Sequence, residues 1–288
     1  MFENIYKKFF SAICAVLFII FILSVYLIYL RLTKQNYGQA EYEISSKPRA
    51  NIRYLDGIDM IYWINLDRST DREILMKQLL KDEEFNGIPI ERVSAVDGKT
   101  PDLVYPRLQL MYKQKNDYEY ACMLSHLDTI RKFSRTSLPV ALIMEDDVTL
   151  EFKKYWRKSV REIMTNAPPD WEIIQLCYNT PNNINQFQLY ERNLYNKTVC
   201  AAAYLIKNSA AKRLINDIFE NGKYKLESYI IHHADCYIFN KTVTYTYKYP
   251  LFIYRTGNDS LLHPQDLKDH ERSKKQIEKM YSNLTLSV

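Results

Sequence analysis

The feature that most constrains the fold is the stretch 138–149, LPVALIMEDDVT, in which an uncharged apolar run stops at three consecutive acids. The run, residues 140–144, is short and partly β-branched, and this predicts a strand buried on both faces of a parallel sheet. Glu145, Asp146 and Asp147 follow it directly. In an open α/β sheet, ligands bind beyond the carboxyl ends of the strands, so the acids lie where a ligand is expected.

These three acids allow two interpretations. Side chains two residues apart on a strand point to the same side, which places Glu145 with Asp147. Paired carboxylate oxygens suit Mg²⁺ or Mn²⁺ holding substrate phosphates. The alternative is a solvated acidic turn that caps the next helix.

Length and composition narrow the class of protein. A chain of 288 residues with 47% hydrophobic residues can form one large domain or two small ones around a core. The net charge of +5 is modest and the basic residues are scattered among acids, so no nucleic-acid partner is expected. With only 6 glycines there is no G-x-G-x-x-G or Walker sequence. Any bound nucleotide is therefore expected to be held by acids, a metal ion and side chains.

The N-terminal part of the chain predicts a membrane anchor. Residues 9–30 are 22 residues without a charge, and about 20 suffice to cross a bilayer. A cleaved signal has a shorter apolar region of about 7–15 residues and then a small-residue cleavage site. Bulky residues such as Tyr26 and Leu30 stand in that place. We predict a short tail (residues 1–8), an uncleaved anchor (9–30) and a polar stem (31–57).

Beyond the stem, the hydrophobic pattern predicts one α/β domain over residues 58–262. A strand at 58–66, a helix after the capping box of Thr70 and Glu73, and a strand at 91–95 make a βαβ unit of a doubly wound sheet. Further helices are predicted at 119–133, 152–164 and 209–220, and further strands at 171–176, 199–206 and 242–249. Residues 263–288 are charged and are predicted to form a peripheral C-terminal tail.

Five sequence blocks, in the same order and spacing, resemble glycosyltransferase family 25, which includes lipooligosaccharide galactosyltransferases and procollagen galactosyltransferase-like enzymes. The blocks are INLDRSTDR (64–72), ERVSAVDG (91–98), EYACMLSH (119–126), ALIMEDDV (141–148) and HADCYIF (233–239). The resemblance runs from about residue 60 to about residue 262. Ala121 departs from the E-x-G-C-x-x-S-H block of the family, because it replaces the glycine.

The resemblance implies a GT-A-like (Rossmann-like) nucleotide-sugar-binding domain. Such a domain transfers a hexose, usually galactose, from a UDP-sugar to a hydroxyl of a glycan, lipooligosaccharide or protein. Residues 145–147 look like the DxD-type motif of the family. By analogy Asp147 holds Mn²⁺ (or Mg²⁺) against the diphosphate, and Glu145 lies nearer the ribose or a metal-bound water. The nucleotide-binding candidates are Asn65, Asp67, Arg68, Arg72, Asp97, Glu145 and Asp146.

Two candidate roles come with alternatives. Arg72 is a candidate for binding phosphate or for a structural pair with Asp67. The resembled family mostly builds β-linkages from α-linked donors, which implies inversion and a general base. Asp235 is the first candidate for that base, with His126 and Asp97 in reserve. The alternative for Asp235 is a helix-capping or His-paired aspartate, and for His126 a buried structural histidine.

We therefore expect a metal-dependent, membrane-anchored glycosyltransferase. It is expected to be a type II single-pass protein with a lumenal (ER or Golgi), periplasmic or external domain, weakly favoured by N-glycosylation sequences at Asn196, Asn240, Asn258 and Asn283. A rival is a membrane-tethered glycan- or protein-binding relative without turnover. A second rival is a two-metal phosphodiesterase, which would need more ligands than the five histidines offer.

Overall fold

The structure, a computed structural model, describes residues 16–26, 52–179, 198–255 and 267–286. They belong to two compact units, Met1–Glu43 and Ile44–Val288. In the first unit, residues 16–26 form helix α1 with exposed apolar side chains. Within the described ranges, no helix combines the length and the apolar character needed to cross a membrane. The rest of the predicted anchor, the tail 1–8 and most of the stem lie outside these ranges.

The second unit contains a central sheet and two smaller ones. Its strands are β1 (Met60–Asn65), β2 (Ile90–Ser94), β3 (Leu108–Leu110), β4 (Val140–Glu145), β5 (Val148–Thr149), β6 (Ile173–Gln175), β7 (Ala203–Lys207), β8 (Phe219–Glu220), β9 (Lys223–Leu226), β10 (Thr244–Thr246) and β11 (Ile253–Tyr254). The central sheet has the order β10-β6-β7-β4-β1-β2. The small sheets have the orders β11-β5 and β3-β9-β8. The α/β class is thus as predicted.

The central sheet is mixed, which corrects the prediction of a parallel sheet around residues 140–144. Strand β1 pairs in parallel with β2 and β4, and β10 with β6, but β7 runs antiparallel to β4 and β6. Strand β7 also begins at Ala203 rather than at residue 199. The hydrogen-bonded part of β7 starts after residue 202, because Cys200 has φ 98°, a left-handed backbone conformation that interrupts an extended strand.

The helices of this unit are α2 (Thr70–Leu79), α3 (Asp117–Ser134), α4 (Val160–Asn166), α5 (Asn208–Ile218), α6 (Ala234–Asn240) and α7 (Leu267–Leu286). Helix α2 is preceded by Ser69 at the N-cap position, so Thr70 is its first residue and not its cap. The predicted helix 152–164 is broken. A 3-10 turn at Lys153–Tyr155 ends at the extended Trp156, and α4 restarts after a capping box of Ser159 and Glu162.

Alternating side chains of β1 and β4 form a core on both faces of the sheet. Ile61, Trp63, Leu142 and Met144 pack in one apolar cluster. Tyr62, Ile64, Ala141 and Ile143 pack in another, together with Leu127 and further apolar residues of α3. The strand at residues 140–144 is therefore buried on both faces, as its sequence predicts.

The folded unit extends beyond both predicted limits. Leu55, in the predicted stem, is 0% exposed, and the Glu84 carboxylate accepts a hydrogen bond from the Tyr54 amide at 2.7 Å. Near the C-terminus, helix α7 buries Ile277 and Tyr281, and the Tyr281 hydroxyl donates to the Pro250 carbonyl at 2.7 Å. The apolar residues of α7 recur at helical spacing, so this charged segment has one face that packs on the core.

Candidate active site

The candidate site lies where β1, β2 and β4 end. Because β1 pairs in parallel with both other strands, their carboxyl ends meet at one edge of the sheet. Asn65 is the last residue of β1 and Glu145 the last of β4. Asp146 and Asp147 form the turn between β4 and β5. Residues from distant parts of the sequence are thereby brought together.

Asp146 anchors the acidic turn to the first βα unit. The Asn65 side-chain amide donates to Asp146 Oδ2 at 2.6 Å, and Arg72 Nη1 lies 2.6 Å from Asp146 Oδ1. Burial raises the pKa of Asp146 above its ordinary value, against the opposing effect of the Arg72 charge. With both oxygens engaged by protein donors, Asp146 fixes the position of its neighbours.

Glu145 belongs to a buried chain of polar groups. His126, which is 1% exposed, has Nε2 at 3.0 Å from Glu145 Oε1 and Nδ1 at 3.1 Å from the Tyr204 hydroxyl. Burial alone would raise the pKa of Glu145, but the hydrogen bond with His126 and the charges of His126 and Arg72 together outweigh burial, so this pKa is below its ordinary value. Glu145 is thus held as a carboxylate, and His126 is fixed at both ring nitrogens.

Asp147 differs from its neighbours because one of its oxygens is left open. Its Oδ1 is buried and accepts no hydrogen bond from the part of the chain that the structure describes, while Oδ2 lies 3.8 Å from Arg72 Nη2. Burial and the negative charges of Glu145 and Asp146 raise the pKa of Asp147 to about 7. A buried carboxylate oxygen without a donor is unfavourable unless a proton or a cation accompanies it.

Two further arginine–aspartate pairs, Arg92 with Asp67 and Arg68 with Asp97, involve residues that lie on or just after β1 and β2. Arg92 donates from Nη2 to Asn65 Oδ1 at 2.7 Å and to Asp67 Oδ1 at 2.8 Å. The Arg68 guanidinium lies 2.7 Å from Asp97 Oδ2. The hydrogen bond from Arg68 lowers the pKa of Asp97 below its ordinary value, with a smaller contribution from the Lys99 amide.

Arg72 does not form the ion pair with Asp67 that was one of the two alternatives drawn from the sequence. Arg72 pairs with Asp146, and Asp67 pairs with Arg92 and accepts from the Ser94 hydroxyl at 2.7 Å. The structural pair predicted between Arg72 and Asp67 is therefore wrong. The reason is the sheet order, which brings the acids after β4 next to the helix that follows β1.

Asp235 accepts backbone hydrogen bonds with both of its carboxylate oxygens. Its Oδ2 accepts from the Cys200 amide at 2.7 Å, and its Oδ1 accepts from the Cys236 amide at 2.7 Å. A left-handed, non-glycine residue such as Cys200 costs on the order of 1–3 kcal/mol unless its surroundings hold it. Asp235 supplies such a constraint. It is the second residue of α6, whose N-cap is His233, so it is not the helix cap of the alternative, and its role as a base stays a prediction.

Sequence reasoning assigned no role to several residues of this site. Arg92 and Ser94 are two apart on β2 and both reach Asp67, a period-two signal that the sequence contained. Cys122 lies four residues before His126 on α3, and one ligand atom each from Cys122, His126 and Glu145 lie within 4.8 Å of one another. Tyr204 had no signal, because its contact with His126 depends on the position of β7.

Comparisons with known proteins add independent information. The model of glycosyltransferase family 25 (LPS biosynthesis protein) matches residues 58–230. The chain is 31% identical over 134 residues to procollagen galactosyltransferase 2 of Homo sapiens, covering 42% of this chain and 21% of that protein. It is 26% identical over 133 residues to procollagen galactosyltransferase 1 of Danio rerio, with the same coverage. The chain thus spans about a fifth of the length of these relatives.

One solved structure is also similar, that of a glycosyltransferase involved in the glycosylation of the major capsid of PBCV-1. The TM-score is 0.35 at 11% sequence identity, covering 75% of this chain and 98% of that chain.

Proposed function

Because this chain belongs to glycosyltransferase family 25, we propose that it transfers a hexose, galactose in the first instance, from a UDP-sugar to a hydroxyl of a glycan, lipooligosaccharide or protein. The family model spans the three strands that carry the candidate site. The partial similarity to proteins named procollagen galactosyltransferases favours galactose among the hexoses. A GT-A-like arrangement, with the donor at the strand ends, is part of the same proposal.

The donor's nucleotide is proposed to bind at the ends of β1 and β2. Asn65, Asp67, Arg68 and Asp97 lie there, and Arg92 joins them through Asn65 and Asp67. Arginine suits phosphate because its planar fork donates two parallel hydrogen bonds. Arg68 and Arg92 are already positioned by aspartates, and this reduces the side-chain freedom that donor binding has to remove.

The observation that best supports a metal-dependent reaction concerns Asp147, whose buried Oδ1 accepts no hydrogen bond from the described residues. Its donor set is a carboxylate oxygen beside two further carboxylates, which fits Mn²⁺ or Mg²⁺. Asp147 would hold the ion, with Glu145 as the second candidate ligand. A divalent ion at this place stabilises the negative charge that develops on the leaving UDP. Asp146 is a weaker candidate ligand, because it already forms an ion pair with Arg72 and accepts a hydrogen bond from Asn65.

Release of UDP from UDP-galactose in the presence of Mn²⁺ tests the function. Asp147→Asn should keep the fold and abolish metal-dependent UDP binding. The matched control is Asp269→Asn, the same chemical change on the exposed side of α7. Equally tight UDP binding in EDTA and in Mn²⁺ would refute the metal site. UDP binding without any release from a panel of UDP-sugars would favour a binding protein without turnover.

An inverting displacement also needs a group that takes the proton of the acceptor hydroxyl. Asp235 remains our first candidate, since each carboxylate oxygen has a second lone pair beyond the backbone hydrogen bond that it accepts. His126 and Asp97 are the reserves, but His126 is 1% exposed and Asp97 is paired with Arg68.

We also propose that residues 9–30 anchor the chain as a type II protein, with the second unit lumenal, periplasmic or external. The support is the uncharged length of this segment and the enzyme class. Protease added to sealed microsomes should leave the second unit intact. Its digestion without detergent would reverse the proposed topology.

A further inference from the structure

A thiol, an imidazole and a carboxylate lie close together in the side chains of Cys122, His126 and Glu145. One ligand atom of each lies within 4.8 Å of those of the other two. Cys122 and His126 are one turn apart on α3, and Glu145 ends β4. The proposed transfer reaction gives the Cys122 thiol no role.

The ligand set is that of a soft divalent ion. We propose that Cys122, His126 and Glu145 form a binding site for Zn²⁺ or a similar ion, which adjoins the oxygen-lined site of Asp147 at Glu145 and differs from it by its thiol and imidazole ligands. Thiolate and imidazole select zinc, whereas Mn²⁺ and Mg²⁺ prefer oxygen ligands. Zinc bonds of about 2.0–2.3 Å place tetrahedral ligand atoms about 3.3–3.8 Å apart. The present 3.0 Å between His126 Nε2 and Glu145 Oε1 is near that range, and all three ligand atoms lie within 4.8 Å of one another. Three protein ligands leave the fourth tetrahedral position for water.

The surroundings favour a bound cation. The Tyr204 hydroxyl lies 3.1 Å from His126 Nδ1 and can accept a hydrogen bond from it, so a bound ion would replace the Nε2 proton that faces Glu145 in the metal-free chain. Such a partner on the second ring nitrogen is the usual support of a metal-binding histidine.

Cobalt binding tests the site without a sugar donor, so the result does not depend on the transferase function. Co²⁺ is titrated into the full-length chain after EDTA treatment and reduction with a phosphine. We expect one equivalent to produce thiolate-to-cobalt charge-transfer absorption, which Zn²⁺ removes and excess Mg²⁺ does not. Cys122→Ser should abolish the band. Cys236→Ser, a matched control on α6, should retain it.

The competing thiols are Cys177 and Cys200, whose Sγ atoms are 3.9 Å apart. A band that is lost in Cys200→Ser and kept in Cys122→Ser would overturn the proposal, and so would the absence of any band in the unmodified chain. If Cys122→Ser does not fold, the cobalt affinity of Glu145→Gln is measured instead. A fall in cobalt affinity on the order of tenfold or more supports the site, and an unchanged affinity overturns it.

Discussion

Replacing Asp147 by asparagine should make the metal-free protein more stable while it removes metal binding. The carboxylate of Asp147 is buried beside Glu145 and Asp146, and one of its oxygens accepts no hydrogen bond from the described chain. Its pKa is raised from 3.8 to about 7. Asparagine has nearly the same shape and no charge, so Asp147→Asn removes the source of this repulsion.

The sign and size of the effect follow from proton linkage. Between pH 4 and pH 7 the native state holds a proton on Asp147 that the unfolded state has lost, so the contribution of this residue to stability falls as pH rises. About three pKa units at about 1.4 kcal/mol each give about 4 kcal/mol as an upper value. The side chain is 23% exposed, and solvent screening reduces the expected advantage of Asp147→Asn above pH 7 to about 2–3 kcal/mol.

Urea unfolding in EDTA at several pH values measures this difference. The protein has 3 tryptophans, Trp63, Trp156 and Trp171, and all are buried, so their fluorescence reports loss of the core. The gap between the variant and the unmodified chain should widen from pH 4 to pH 7 and then stay constant. Saturating Mn²⁺ should stabilise the unmodified chain alone, by about 2.7 kcal/mol at a hundred times its Kd.

The neighbouring acid provides the control. Asp146→Asn is the same change one residue away. Burial raises the pKa of Asp146 as well, but this variant also weakens the charge-assisted hydrogen bond from Arg72, which offsets the gain from removing the charge, so it should be less stable than Asp147→Asn. If Asp147→Asn is no more stable than the unmodified chain at pH 8, or if the gap does not vary with pH, the argument that Asp147 is an unpaired buried carboxylate is refuted.

Three further variants test other parts of the structure. Arg72→Met leaves Asp146 without its charged partner and should lower the free energy of unfolding by about 2–3 kcal/mol in urea melts; an unchanged midpoint would contradict the anchoring role. Asp235→Asn should lower that free energy by about 1 kcal/mol, because asparagine accepts only one of the two backbone hydrogen bonds. If Asp235 is also the base, kcat should fall on the order of 10²–10⁴ with UDP-sugar binding intact, whereas normal turnover excludes that role. Ile277→Ala should destabilise the protein by about 2–5 kcal/mol in the same melts, and no effect would show that α7 is not part of the core.

The elements that the sequence predicted well are those specified by local pattern. The buried run at residues 140–144 is a strand, and α3 places Met123, Leu127 and Ile130 in the core as their spacing indicates. Capping was predicted less well. Thr70 starts α2 without capping it, and the Ser159 capping box divides the helix expected at 152–164. Several short polar side chains can serve as caps, and the choice among them depends on where the chain enters the helix.

The pairing of charges could not be predicted, because it depends on sheet order. Arg72 contacts Asp146 across 74 residues, and Asn65 contacts Asp146 across 81. Both contacts exist because β4 lies beside β1, an arrangement that buries both strands on two faces. The partners of the three acids depend on the same sheet order: Asp146 contacts Asn65 and Arg72, and Glu145 contacts His126.

The sequence by itself determined that three acids follow a buried strand of an α/β domain, since hydrophobic periodicity and chain direction suffice for this. Only the tertiary structure decided their roles. Asp146 forms an ion pair with Arg72 and accepts a hydrogen bond from Asn65, Glu145 is held by His126, and Asp147 has an oxygen that accepts no hydrogen bond from the described residues. The three carboxyl groups are chemically almost the same. They differ in the donors that reach them from distant parts of the chain. Burial raises the pKa of a carboxyl group, and such donors oppose this effect.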